Sequence, residues 1–532
     1  MKVRKLLRFQ QISILFVLCL FVLIFSIQSA SAQLSSTQQD AIKYIKELEG
    51  EFKNAATKIW ENPEPSSDEF ISAGVLIDYL EKHGFEVEKE VVEGLGTSFV
   101  GTYGKGKPII GILAEFDALP GLSQKAGIYT KEPIIEGAPG HGCGHHIYGS
   151  ASVTAAIALA KTLEQHNISG TVKLFGTPGE ESYSGKAFMA AKDLFDELDV
   201  CLAWHTGTGP TGAQYETNSG NISFNVKYYG KASHAARLPM DGRSALDGYE
   251  LMSIGVQYMR EHMIPGTTIH NIVTSGGSAA NIVPDYVSAW YYVRNPFSAP
   301  MVESFTWVKE IAEAAAKMSQ TKVEVQILKS AYNILPIKSF VEITNDVVHQ
   351  VGPPPFTSED QAKAEEVRKL LGYEPIEEPL NTKLVTPDFS ETYPDMSYAA
   401  SSSDTGNVSW RTPTVSINVA AYVEDTIGHN WQMVAQGLTD WAFKGGLQAS
   451  KYIAATALEL IANPELIDKI QNEFKEYSKK YAFEDVMVGV PVFKFVDLYG
   501  YDRHAIPGRI PEKEVEYWEK YGLKSVLEES VR

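Results

Sequence analysis

Cysteine is scarce in this chain, with three in 532 residues. One of them, Cys19, lies in an apolar N-terminal run, so a disulfide framework is excluded as the source of stability. Basic residues are also in deficit: 47 Lys and Arg stand against 66 Asp and Glu, for a formal net charge of −19. Such a chain has no sequence-wide case for binding nucleic acid or an anionic membrane surface. Long hydrophobic runs are confined to the first thirty residues, and there is no internal repeat or low-complexity tract. The remaining composition, 44% hydrophobic and 21% charged, is that of a globular protein too long for one ordinary core. At least two domains and a small-molecule partner are expected.

The N-terminus reads as a separate object. Lys2, Arg4, Lys5 and Arg8 precede an apolar run from Ile12 to Ile27, and "QSASAQLSS" follows. This is the layout of a secretory signal peptide, with Ala30, Ser31 and Ala32 fitting the small-x-small cleavage rule. An uncleaved anchor is the alternative, but the run is short for a hydrocarbon core of about 30 Å. The expectation is export to the periplasm or the exterior, with cleavage near Ala32 and no membrane attachment afterwards. Cleavage removes four positive charges, taking the net charge to −23, and leaves two cysteines, Cys143 and Cys201.

In the mature chain, apolar residues at helical spacing predict a helix from Ala41 to Trp60. "NPEPSSDE" ends it and caps a second helix that runs to about His83. "FEVEKEVV", "SFVGTYG" and "PIIGILAEF" read as strands, residues 150 to 165 as an alanine-rich helix, and "TVKLFGTPGEES" and "DVCLAWHTG" as further strands. This alternation predicts an α/β domain with a largely parallel sheet, in which ligands sit beyond the carboxyl ends of the strands. "AEFDAL", "GTPGEES" and "CLAWHTG" each put charged or imidazole groups just past an apolar strand. Residues 221 to 334 follow a strand-helix-strand-strand-helix-strand order, which suggests an inserted α+β domain. A long connection then carries one capped helix, with Ser358 and Gln361 fitting a capping box. The first domain resumes with "TPTVSINVA".

The chemistry centres on "GHGCGHHIYG", residues 140 to 149. Cys143 can be read as a nucleophile, as half of a disulfide with Cys201, or as a metal ligand. A histidine two residues away rarely supplies an aligned base, and Cys201 sits in an apolar strand like a core residue. Glu180 and Glu181 are adjacent at a strand exit, where successive side chains point apart. One of them can hold a metal while the other faces a water. Cys143, His145, Glu181, His205 and His429 are all zinc-binding residue types, placed by this reading on loops of one face. A thiolate on a metal therefore fits best.

The order of "EFDALPG", "HGCGHHIYG", "TPGEES", "AWH", "GKASHAA", "GGSAANIVPD" and "IGHNWQ" resembles the amidohydrolase branch of the aminoacylase and carboxypeptidase G metallopeptidase family, over roughly residues 36 to 475. The resemblance implies a catalytic domain from residues 33–220 and 335–475, holding two divalent metals, zinc or manganese. Residues 221–334 would form a lid that also dimerises, and 476–532 a tail of unknown role. It implies ligands at Cys143, His145, Glu181, His205 and His429, and a general base at Glu180. His234 would steady the oxyanion across the dimer, Asn281 would contact substrate, and Arg294 would hold an α-carboxylate. The implied activity is hydrolysis of N-acyl or aroyl amino acids such as p-aminobenzoyl-glutamate, by a homodimer with room for a second, different subunit. A dipeptidase or peptide deacylase of the same family shares the catalytic set, and a non-catalytic binding protein is the reading from another class. The chain departs from the branch at His146, where Asp is usual, and at Gly179, where Ala is usual; the second exchange reads as minor.

Overall fold

The computed structural model describes residues 33–492 and 505–522, so the segment expected to be a signal peptide and the "FKFVDLYGYDRH" run of the tail lie outside the described residues. The chain opens with helices α1 (Ser36–Glu47), α2 (Glu49–Glu61) and α3 (Phe70–Lys82). The single helix expected over Ala41–Trp60 is interrupted at Leu48, two residues before Gly50, a poor helix former in the first turn of the second helix. The acidic turn before α3 does cap that helix, though from a distance. The Glu64 carboxylate accepts the Ile71 and Ser72 amides at 2.9 Å each and the Ser72 hydroxyl at 2.8 Å, while Glu69 at the N-cap position makes no capping bond.

Next come β1 (Glu86–Lys89), β2 (Phe99–Lys105), β3 (Ile109–Ala114), α4 (His145–Gln165), β4 (Gly170–Gly176), β5 (Val200–Gly207) and the short β6 (Gly212–Ala213). The inserted unit contains β7 (Gly220–Tyr229), α5 (Ala245–Met259), β8 (Thr268–Ser275), β9 (Tyr286–Asn295), α6 (Ser298–Ser319) and β10 (Lys322–Ala331). The first layer then resumes with α7 (Lys338–Val351), β11 (Thr414–Ala420) and α8 (Asp440–Ala462), and α9 (Pro511–Tyr521) lies near the end of the described chain.

The larger sheet has the order β1-β2-β4-β3-β5-β11-β6. Its four central strands are parallel and its outer pairings antiparallel. Apolar runs in β3, β4 and β5 are buried on both sides, as a helix-covered parallel sheet requires. Helix α4 is buried almost all round, with α8 pressed against it: the Ser450 hydroxyl of α8 donates to the Ala151 carbonyl at 2.8 Å. The small residues of α4 make that approach possible.

The inserted sheet is antiparallel, in the order β10-β7-β9-β8. Ile222, Phe224, Val226 and Tyr228 turn one face of β7 into an apolar core shared with α5 and α6. The opposite face is polar. Beyond it, the capping box of the Ser358–Leu371 helix lies one residue earlier than expected, between Thr357 and Asp360, because Gln361 instead bonds Leu380.

The described part of the tail packs on α3. Rings of Tyr517 and Trp518 stand 5.5 and 5.1 Å from Phe70, and Arg509 bonds Asp68 at 2.9 Å. No helix among the described residues is long and apolar enough to cross a membrane.

Candidate metal and active site

The carboxyl ends of the parallel strands deliver the polar groups to one cleft of about 750 Å³. Glu115 follows β3, Glu180 and Glu181 stand beyond β4, and His205 lies within β5 near its end. His145 is the first residue of α4, and Gly144 before it takes a left-handed conformation, φ 86°. A Cβ at Gly144 would lie 2.6 Å from the Thr206 hydroxyl and 2.8 Å from that of Tyr422. Glycine is thus required both by the turn and by the close approach. Two of the five expected ligands therefore sit on regular elements rather than loops. His429 comes from a loop after β11 and is itself left-handed, φ 56°, with its amide donating to the Gly142 carbonyl at 2.9 Å. A non-glycine residue held there is strained, and such strain gathers at functional sites.

The five side chains converge. Donor atoms of Cys143, His145 and His205 lie within 4.8 Å of one another, as do those of Cys143, Glu181 and His429, and those of Glu115, His145 and Glu180. Cys143 Sγ is 3.4 Å from His205 Nε2, and His429 Nε2 is 3.3 Å from Glu181 Oε2. Two cation-sized groups thus share the thiol.

Surrounding bonds aim these ligand atoms. His145 Nδ1 donates to Asp117 at 2.9 Å and His205 Nδ1 donates to the Thr206 carbonyl at 2.8 Å. Both rings are thereby fixed with Nε2 presented to the cleft. Asp117 also accepts the Glu181 amide at 3.0 Å and the Ser66 hydroxyl at 2.8 Å. Burial alone would raise its carboxyl, but His145 and these donors hold it down to about 2. Burial pushes Glu181 up to about 8, with Glu180 and Asp117 adding repulsion. Burial likewise pushes the Cys143 thiol well above its ordinary range, helped by Glu181. A free thiolate nucleophile is disfavoured there.

The donor set itself supports a metal. His145 Nε2 and Glu181 Oε1 are buried without a hydrogen-bond partner among the described residues. His145 Nε2 does approach Glu115 at 3.2 Å, but out of hydrogen-bond alignment. Unpaired buried groups of this kind are costly unless something satisfies them. Sulfur, imidazole nitrogen and carboxylate oxygen at this spacing suit a divalent cation such as zinc.

Four residues of the site went unassigned in the sequence reading. Glu115 and Asp117 belong to the strand exit "AEFDAL", a visible signal to which no role was attached. Lys186 and Asp404 gave none. The Lys186 ammonium is fully buried between Glu115 at 2.7 Å and Asp404 at 2.5 Å, and only the fold brings position 404 to position 186.

Of the remaining expected residues, Arg294 lines the cleft from the inserted sheet together with Asn221 and Tyr292. His234 and Asn281 do not. They lie side by side in exposed loops, where the Ala235 amide donates to the Asn281 carbonyl at 3.0 Å. His146 faces away from the cluster, donating to the Gly437 carbonyl at 2.9 Å, and burial lowers it to about 3. Gly179 adopts φ +71°, and an added Cβ would meet Tyr183 Cβ at 2.6 Å. The exchange of alanine for glycine at this position is therefore not minor in this chain.

Comparison with known proteins agrees with this picture. Residues 217–322 match the peptidase dimerisation domain model of the M20 group. The chain is 35% identical to a p-aminobenzoyl-glutamate hydrolase subunit of Escherichia coli (strain K12), over 80% of this chain and 92% of that protein. It is 27% identical to a Xaa-Arg dipeptidase of Mus musculus, over 84% of this chain and 94% of that one. Among solved structures, an aminobenzoyl-glutamate utilization protein from Klebsiella pneumoniae has the same fold, with TM-score 0.53 and 16% identity, over 78% of this chain and 97% of that chain. An aminohydrolase from methicillin-resistant Staphylococcus aureus does too, with TM-score 0.57 and 18% identity, over 80% of this chain and 100% of that chain.

Proposed function

The chain belongs to the M20 family of metal-dependent amidohydrolases and peptidases, and from that premise we propose that it hydrolyses the amide bond of N-acyl or aroyl amino acids, with p-aminobenzoyl-glutamate the first substrate to test. The observation that carries the reading is the convergence of Cys143, His145, Glu181, His205 and His429 beside Glu180 in one cleft. These five side chains would hold two divalent cations, zinc or manganese. When bound, the cations supply Lewis-acid polarisation of the carbonyl and a water acidic enough to attack at neutral pH.

The chain's own groups do the rest. Glu180 takes the proton of the attacking water and returns it to the leaving amine. Asp117 keeps the His145 ring in register through its Nδ1 bond. Arg294, half-buried in the cleft wall, receives the substrate's α-carboxylate. His234 and Asn281 lie outside the cleft of their own chain, so they serve the cleft of a second copy, and the working unit is a homodimer joined through the inserted domain. The mature enzyme starts near Ala32 after export.

The test is free-amine release by the purified mature protein loaded in turn with zinc and manganese. The substrates are p-aminobenzoyl-glutamate, N-acetyl amino acids and a dipeptide panel that includes Xaa-Arg. Turnover confined to the dipeptides selects the dipeptidase reading. Bound metal without turnover on any amide selects a binding role. The mass of the secreted protein checks the cleavage site.

A further inference from the structure

The polar face of the inserted sheet carries a second cation into the cleft, and a fault in the strand pairing puts it there. Strand β10 pairs with β7 in one register from Lys322↔Tyr229 to Ile327↔Phe224, and in another from Lys329↔Ser223 to Ala331↔Asn221. The extra residue at the shift is Leu328, which is buried. In an unbroken register Leu328 would stand opposite Ser223 and face the cleft, and Lys329 would point to the apolar side. The irregularity turns Lys329 to the face of Ser223, while Leu328 packs not in the core shared with α5 and α6 but in the cluster that contains Phe175, Phe188 and Met487, and re-aiming a side chain is what a β-bulge does.

Directly opposite residues share a face of the sheet. Tyr292 stands opposite Ser223, as does Lys329, and Arg294 stands opposite Asn221. One face therefore presents Lys329, Tyr292 and Arg294 in adjoining rows, and all three line the cleft. The Arg294 guanidinium lies over the Tyr292 ring, 5.3 Å from its centre. Neither cation has an ion-pair partner among the described residues, although both are half-buried. This contrasts with Lys186, whose charge is neutralised twice over. The same cleft is lined by the carboxylates Glu115, Glu180 and Glu181 of the metal site and by Glu216 and Asp404, and neither Arg294 nor Lys329 forms an ion pair with any of them.

We propose that Lys329 is a specificity residue that reads a second carboxylate, so that with Arg294 it selects amides of an acidic amino acid, glutamate or aspartate, over those of neutral ones. The inference rests on the amidohydrolase reading and narrows its substrate class. A monoanionic product half leaves one of the two cations desolvated and unpaired, which is the usual physical source of strong discrimination.

The experiment compares p-aminobenzoyl-glutamate with p-aminobenzoyl-glutamine, which differ only in the second carboxylate, using metal-loaded full-length mature protein. Lys329→Met is expected to lower kcat/KM for the glutamate compound roughly 10- to 100-fold, mainly through KM. The glutamine compound should be nearly unaffected, and Lys329→Arg should retain the preference. Equal losses on both compounds, or none on either, overturn the proposal. Calorimetric binding of the same pair to Glu180→Gln, with and without Lys329→Met, reads the preference without turnover. Failure of the amidohydrolase reading appears as no amine release by the wild type. Failure of this inference appears as binding that does not distinguish the two compounds.

Discussion

The floor of the cleft and the inserted sheet facing it hold their polar groups differently. On the floor, each candidate metal-facing imidazole of the buried cluster is braced by a second group: Asp117 for His145, and the Thr206 carbonyl for His205. Lys186, Glu115 and Asp404 form a buried charged layer beneath them. On the inserted side, Arg294 and Lys329 are half-buried without ionic partners, and His234 and Asn281 stand in exposed loops. The floor is organised before substrate arrives. The inserted side is completed by what binds to it, whether substrate or a second copy.

Substitutions can break that contrast. The largest effect belongs to Glu180→Gln, which should keep its metal and lose turnover by about 1000-fold; amine release and metal content measured on the same sample check both halves. His234→Ala should cost about 100-fold in kcat with unchanged metal content and thermal stability, because the residue is exposed. Mixing it with Glu180→Gln should restore part of the activity, since a mixed dimer contains one intact composite site. If mixing restores nothing, His234 does not act across a dimer.

Asp117→Asn should weaken metal binding by about 10- to 100-fold while leaving the five ligands in place, as read by metal titration. Lys186→Met leaves two carboxylates buried without their counterion and should destabilise the metal-free fold by about 3 kcal/mol in denaturant melts. The smallest effect is a pH dependence. Asp117 is held at about 2 in the folded chain against an ordinary 3.8. Its contribution to stability is full above about pH 3.8 and is lost as pH falls through about 2. Without metal, the gap in melting temperature between wild type and Asp117→Asn should shrink between pH 5 and pH 2. A constant gap would place the role of Asp117 elsewhere.

Much of the floor was legible in the sequence because it follows strand ends. An apolar run that stops at a charged residue marks both the sheet and its rim, and "AEFDAL", "GTPGEES" and "CLAWHTG" all do this. His145 was harder to place, because the start of α4 depends on the left-handed Gly144, where Thr206 and Tyr422 leave no room for a side chain. Capping was similarly displaced. Glu64 reaches across its turn to α3, and Thr357 replaced Ser358 because Gln361 was engaged by Leu380.

What the sequence determined by itself was local and periodic: the alternation that makes a parallel sheet, the inserted strand-helix order, and the residue types able to bind a metal. What only the tertiary structure decided was long-range or depended on register. The Lys186 and Asp404 pair joins segments 218 residues apart, and no local pattern marks such a pair before the chain folds. Lys329 faces the cleft only because one extra residue is accommodated in β10. A side-chain period of two makes each strand sensitive to such a shift, which depends on how neighbouring strands pack rather than on the identity of the residue it moves.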